Sequence, residues 1–180
     1  MRFPNIEETI RKLPTESAII FREYNLSEQK RQELAVKIQK ICKKFNHKLI
    51  IGKDFNLAKK IRADGYHFSD QDFANIKSHD SSLINYKKTR RNFITSLACH
   101  DLNCTKKAEK TNVDLIFLSP IFPTKSHPNA KTKGLFDLVR ASNLTSNPVF
   151  ALGGINEQNL KQVEKLNIAG FAGIEIFQEK

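Results

Sequence analysis

Short apolar runs alternate with segments of helical period along the whole chain, and this alternation restricts the fold more than any other feature. The runs are SAIIFREY (Ser17 to Tyr24), KLIIGK (Lys48 to Lys53), GYHFSD (Gly65 to Asp70), NFITSLACH (Asn92 to His100), DLIFLSP (Asp114 to Pro120), PVFALGG (Pro148 to Gly154) and GFAGIEIF (Gly170 to Phe177). Helical segments are expected near Ile6 to Leu13, Glu28 to Phe45, Asn56 to Ile61, Asp101 to Lys110, Leu135 to Ala141 and Glu157 to Leu166. Ser27 is placed to cap the second of these, whose apolar positions Leu34, Ile38 and Ile41 lie at helical spacing. A repeat of roughly 20–30 residues is that of βα units building a parallel sheet. DLIFLSP shows little alternation, so both of its faces should be covered.

Two of these runs empty into loops suited to binding. DLIFLSP leads into Pro120, Pro123, Thr124, Ser126, His127 and Pro128, a polar and restricted loop at a strand's carboxyl end, where parallel α/β proteins bind ligands. PVFALGGIN runs into a Gly pair and then an expected helix start, a pattern that lets backbone N–H groups approach an anion. No G-x-G-x-x-G follows the first strand, which argues against a doubly wound open sheet.

At 180 residues without a linker or low-complexity segment, the chain reads as one domain over residues 1–180. No apolar run approaches the ~20 residues of a membrane span, and the N-terminus lacks the apolar core of a secretory signal. Three cysteines, Cys42, Cys99 and Cys104, without framework spacing point to a reducing cytoplasm. His67, Cys99, His100 and Cys104 lack any zinc spacing, and His67 reads as a core histidine. The net charge of +11 reads first as a lysine-rich composition spread over solvated helix faces, and alternatively as a surface that recruits phosphorylated small molecules or nucleic acid. The tightest basic cluster, Lys87, Lys88, Arg90 and Arg91, carries no nucleic-acid motif and reads as a solvated connection before a strand.

Five segments in register resemble the thiamine phosphate synthase/TenI superfamily. ADGYHFSDQD (Ala63 to Asp72) resembles A-D-G-V-H-L-G-Q-x-D, IFREY (Ile20 to Tyr24) sits at Q-L-R-x-K, and IIGKD (Ile50 to Asp54) sits at I-I-N-D-R. SPIFPTKSH (Ser119 to His127) resembles G-P-I-F-P-T-x-T-K, and ALGGI (Ala151 to Ile155) matches A-I-G-G-I. The resemblance implies a TIM-type (β/α) barrel. Seven strands are clear here, and the one lacking is the family's usual first strand. Closure or near-closure within one chain is expected, with a dimer covering the gap as the alternative, hence a monomer or homodimer.

The family reaction joins a pyrimidine methyl diphosphate to a thiazole phosphate, with diphosphate leaving under Mg²⁺. Arg22 falls on the family arginine, but the lysine two positions later is Tyr24. Asp72 falls on one Mg²⁺ ligand; the other falls at Lys53, with Asp54 next door as a replacement. Alternatively Lys53 itself neutralises phosphate. The Asn preceding that ligand is Gly52, and a Ser after the fifth family strand is Ala98. His100 falls on the proton-transfer His of TenI-type thiazole tautomerases. Glu175 replaces a Ser near the thiazole phosphate, and the family lysine of the phosphate loop is His127.

The resemblance thus implies Arg22, His100 and His127 as chemically acting residues. Tyr24, Lys53, Thr124, Lys125, Ser126, Gly153 and Gly154 would bind substrate, and Asp72 and Asp54 would hold Mg²⁺. Three functions follow: a synthase, a tautomerase using His100, or a non-catalytic binder of a phosphorylated thiamine precursor. The synthase is favoured because SPIFPTKS has the synthase form and the chain is basic.

Overall fold

The computed structural model describes residues 5–75, 81–111, 113–125 and 128–177. Seven strands follow one another through the sheet in chain order: β1 (Ala18–Phe21), β2 (Lys48–Gly52), β3 (Gly65–Phe68), β4 (Ile94–Cys99), β5 (Leu115–Leu118), β6 (Val149–Leu152) and β7 (Gly170–Ala172). Helices α1 (Ile6–Arg11), α2 (Glu28–Lys44), α3 (Phe55–Lys60), α4 (Asp70–Asn75), α5 (Ser81–Thr89), α6 (Leu102–Ala108), α7 (Gly134–Asn143) and α8 (Leu160–Glu164) alternate with them. All seven expected strands are present. Met1–Pro4 lie outside the described residues, and α1 is the first element within them. Packing divides the chain into two compact units. The first takes the described residues through His67 together with Asn85–Ile94; the second takes the remainder up to Phe177.

In the first unit β1, β2 and β3 pair in parallel, with Ile20 opposite Ile50 and Gly52 opposite His67. Leu49, Ile50 and Ile51 are almost wholly buried, which explains the unbroken apolar run. Ser27 caps α2 by accepting from the Lys30 N–H at 3.5 Å. The buried stripe of α2 is Arg31, Ala35, Ile38 and Cys42, at helical spacing. Gln39 ties α2 to the end of α3 by donating to the Ile61 and Arg62 carbonyls at 2.7 and 3.1 Å. Phe55, Tyr66, Tyr86 and Phe93 pack edge to face, with centroids 5.0–6.3 Å apart. This changes the reading of the Lys87–Arg91 cluster. Lys87 and Lys88 end α5, and Arg90 donates to the Ala63 carbonyl at 2.9 Å, so the segment is anchored and not a bare solvated connection.

In the second unit β4 to β7 pair in parallel, with Ala98 opposite Phe117 and Phe150 opposite Gly170. Asp114 accepts from the Thr95 N–H and hydroxyl at 2.6 and 2.7 Å, fixing the start of β4 against β5. Asp101 caps α6 through the Cys104 N–H at 2.7 Å. Two expectations are corrected here. The last strand ends at Ala172 and not at Phe177, because Glu175–Phe177 coil into a 3₁₀ turn. Gly173 permits this: a Cβ there would lie 2.9 Å from Ile176. The helix expected from Glu157 begins only at Leu160. The Asn156 carboxamide holds a turn by accepting from the Gln158 and Asn159 N–H groups at 3.0 and 3.3 Å.

Burial pushes the Cys42 thiol up to about 12, with Asp64 adding to the effect. A hydrogen bond with Cys99, and then burial, push Cys104 up as well. All three cysteines are reduced and buried, the state of inert core thiols. Among the described residues no three His, Cys, Asp or Glu side chains form a metal-holding group. None of the described helices is long and apolar enough to cross a membrane.

Candidate active site

The carboxyl ends of β1 and β2 carry a cluster of cations around one aromatic ring. The Arg22 and Arg31 guanidinium carbons lie 5.8 and 5.6 Å from the Tyr24 ring centroid, and Lys53 Nζ lies 5.4 Å from it. Arg31, on the buried stripe of α2, is a component the sequence reading missed. It donates to Asp54 Oδ2 at 2.6 Å and to the Gly52 carbonyl at 2.8 Å, and sits over Phe21. The other Asp54 oxygen accepts from the Leu57 N–H at 2.8 Å, capping α3. Lys53 takes a left-handed backbone, φ 60°, and its N–H donates to the His67 carbonyl at 3.2 Å.

Gly52 and Tyr24 are one structural feature. A Cβ at position 52 would lie 2.5 Å from the Tyr24 hydroxyl. The tyrosine therefore fills space that a side chain at position 52 would need. These are two of the positions at which the chain differs from the pattern the resemblance implies, and they meet in space.

In the second unit the loop after β5 is sewn to the turn after β6 by backbone bonds. The Ile121 N–H donates to the Leu152 carbonyl at 3.0 Å and the Phe122 N–H to the Gly153 carbonyl at 3.1 Å. Gly153 and Gly154 have φ of 93° and 68°. A Cβ on Gly154 would meet the Pro123 carbonyl at 2.3 Å, so this glycine is required by the loop itself. The expected anion site at a helix start directly after the Gly pair is corrected, since the chain turns through Asn156–Asn159 first. Asn159 donates to the Gly154 carbonyl at 2.8 Å and stiffens that turn. Thr124 is half-buried in the loop. Lys125 meets Glu175 at 3.5 Å, so the carboxylate that replaces the family Ser is matched by a cation. Ser126 and His127 lie outside the described residues.

His100 stands exposed at the end of β4. Its Nδ1 lies 3.0 Å from the Ser119 carbonyl and 3.2 Å from the Ser119 hydroxyl. A carbonyl only accepts, so this contact places a proton on Nδ1 and directs Nε2 away from Ser119. Ser119 is thus a positioning group that sequence reading did not single out.

The residues present fit Mg²⁺ poorly. Both Asp54 oxygens already serve donors, and position 53 is a lysine. Asp72 Oδ2 accepts from the Ser69 N–H and hydroxyl, while the Asp72 N–H donates back to Ser69 Oγ at 3.2 Å. That is a capping box at the start of α4, which leaves only Asp72 Oδ1 uncommitted to it.

The fold and the loops at strand carboxyl ends define an α/β protein of the TIM type. A solved structure, thiamine phosphate pyrophosphorylase from Pyrococcus furiosus, superposes with a TM-score of 0.77 at 22% identity, covering 94% of this chain and 77% of that one. The family model described as thiamine monophosphate synthase matches residues 5–177, and the chain belongs to that family. A protein of Aquifex aeolicus (strain VF5), named "Putative thiamine-phosphate synthase 2", is 36% identical over 177 residues, 97% of this chain and 91% of that protein. The thiamine-phosphate synthase of Clostridium tetani (strain Massachusetts / E88) is 31% identical over 170 residues, 94% of this chain and 77% of that one.

Proposed function

We propose that this chain is a transferase that makes thiamine phosphate from a pyrimidine methyl diphosphate and a thiazole phosphate. The observation that carries this reading is the loop Pro120–Thr124 fastened to the Gly153–Gly154 turn, where the family resemblance puts the thiazole phosphate. Thr124, Lys125, Gly153 and Gly154 bind that phosphate. Ser126 and His127 are assigned to the same loop by sequence alone. In the reaction the bond between the pyrimidine methylene carbon and the diphosphate oxygen breaks. The thiazole nitrogen then attacks the cationic carbon, and diphosphate departs. Arg22, with its planar fork, and Lys53 neutralise the charge that develops on the leaving oxygens.

Mg²⁺ is the ion the family resemblance implies. Asp72 is the carboxylate with an oxygen to offer it, whereas Asp54 would have to give up Arg31. The substrates are phosphorylated small molecules, and the buried reduced cysteines suit the cytoplasm.

Incubation with both precursors, with and without Mg²⁺, followed by oxidation to a fluorescent thiochrome, tests the reading. Fluorescence that requires both precursors supports it; its absence under every condition overturns it. A second reading is a thiazole tautomerase, favoured by the exposed His100 with Nδ1 tied to Ser119. Proton exchange at the thiazole, lost in His100→Asn, would establish that reading instead.

A further inference from the structure

We propose that Arg22 and Lys53, gathered on Tyr24, form a diphosphate site that needs no divalent cation, with the Lys53 ammonium supplying charge where related chains would use a metal. The proposal rests on reading the chain as a transferase that releases diphosphate, but it concerns binding and can be tested apart from turnover.

Several observations converge on it. Three cations lie within 6 Å of one ring centroid, held by the ring face against their mutual repulsion, and an anion placed there would relieve that repulsion. Asp54 balances only Arg31. Neither Arg22 nor Lys53 enters an ion pair with a described residue, and both are exposed. Lys53 is also held in place. Its backbone is in the left-handed region and is fixed by the His67 carbonyl, while its side chain rests over Tyr24. Tyr24 in turn stands over Gly52, the position that has given up its side chain to admit the phenol. Tyr24, Gly52 and Lys53 thus make one arrangement, and its product is an ammonium and a guanidinium presented on one ring. A guanidinium fork and a point-charge ammonium together suit an anion with two phosphoryl groups. With a lysine at position 53 and both Asp54 oxygens engaged, this end of β2 repels a divalent cation.

The experiment is calorimetric titration of inorganic pyrophosphate into the full chain, once in EDTA and once in Mg²⁺. Binding in EDTA is expected, and Mg²⁺ should not strengthen it. Lys53→Asn is the neutral variant of choice, because Asn tolerates the left-handed backbone. It should weaken binding in EDTA by about 10- to 100-fold. Lys53→Asp should abolish binding in EDTA and recover part of it in Mg²⁺. Lys60→Asn, on the exposed side of α3, should match the wild type. Binding that appears only with Mg²⁺ overturns the proposal. So does equal weakening by Lys60→Asn and Lys53→Asn, which would mean diffuse attraction to a basic surface. Thiochrome formation is scored separately. Its absence alongside EDTA-resistant pyrophosphate binding would remove the transferase reading and leave the anion site. Its presence alongside strictly Mg²⁺-dependent pyrophosphate binding would do the reverse.

Discussion

The candidate site in the first unit is built from side chains, whereas the candidate site in the second unit is built from backbone. Arg22 and Lys53 reach the Tyr24 ring through long, exposed, flexible groups, so exchanging them changes charge with little effect on the chain's path. The loop after β5 and the turn after β6 are joined by peptide groups packed closely enough to exclude a Cβ at Gly154. A side-chain site can therefore be rewritten by a few exchanges, and Tyr24, Gly52 and Lys53 are where the chain differs from the pattern the resemblance implies. A backbone site tolerates far less, and P-I-F-P-T and G-G are where the chain agrees with that pattern.

The largest effect expected is in the second unit. Gly154→Ala forces a methyl group against the Pro123 and Phe122 carbonyls at a φ of 68°. Left-handed strain plus a backbone clash should cost about 4 kcal/mol. Thermal unfolding should register this as a large fall in Tm, and a loss under about 1 kcal/mol would show that the loop is not clamped as described. The side-chain site should respond in the opposite way. Arg22→Ala should leave Tm nearly unmoved yet lower turnover roughly 30- to 1000-fold, the loss of a charge-assisted contact to the leaving group. Unchanged turnover in active protein would remove Arg22 from the mechanism.

This contrast also explains what the sequence could tell. Strands β2 to β5 were legible because nearly continuous burial leaves unbroken apolar runs, and the half-buried β1, β6 and β7 because their short apolar runs are bounded by turn residues. Helices α4 and α5 were not, because each has few apolar residues to mark a helical face. Ser69-x-x-Asp72, a capping pattern, was the available signal for α4, and Asp72 was weighed only as a metal ligand. The Gly pair and its loop were readable as local motifs. The cation cluster was not. Tyr24 and Gly52 looked like two separate losses, and their meeting in space is visible only when the phenol is seen over the glycine. Arg31 lies on the 31/35/38/42 stripe, a helical spacing that could have marked it as inward-facing.

Smaller effects sharpen the comparison within the side-chain site. Asp54→Asn leaves the mostly buried Arg31 without its counter-charge, since the two side chains are 10% and 33% exposed. Partial exposure moderates the penalty to about 2 kcal/mol in thermal or denaturant unfolding. A value near zero would mean that Arg31 turns to solvent or to an anion. Gly52→Ala should cost about 1 kcal/mol in the presence of Tyr24 and less beside Tyr24→Phe. Additive losses in this double-mutant cycle would break the claim that the two positions form one feature.

The smallest expected effect returns to the second unit, where an ion pair links the loop after β5 to the 3₁₀ turn. Lys125 and Glu175 meet at 3.5 Å with side chains 94% and 42% exposed. Water and salt screen such a pair, so Glu175→Gln should move stability by less than about 0.5 kcal/mol. Its consequence should lie in binding. On the proposed assignment Glu175 competes with phosphate for Lys125, and removing the carboxylate's charge frees the ammonium. Titration with inorganic phosphate should then show affinity rising by about 2- to 5-fold, with the gain fading as salt is raised. A fall in affinity would mean that Glu175 instead holds the loop in its binding form. The second unit would then depend on a side chain as well as on its backbone, and the division between the two sites would be narrower than the glycine geometry implies.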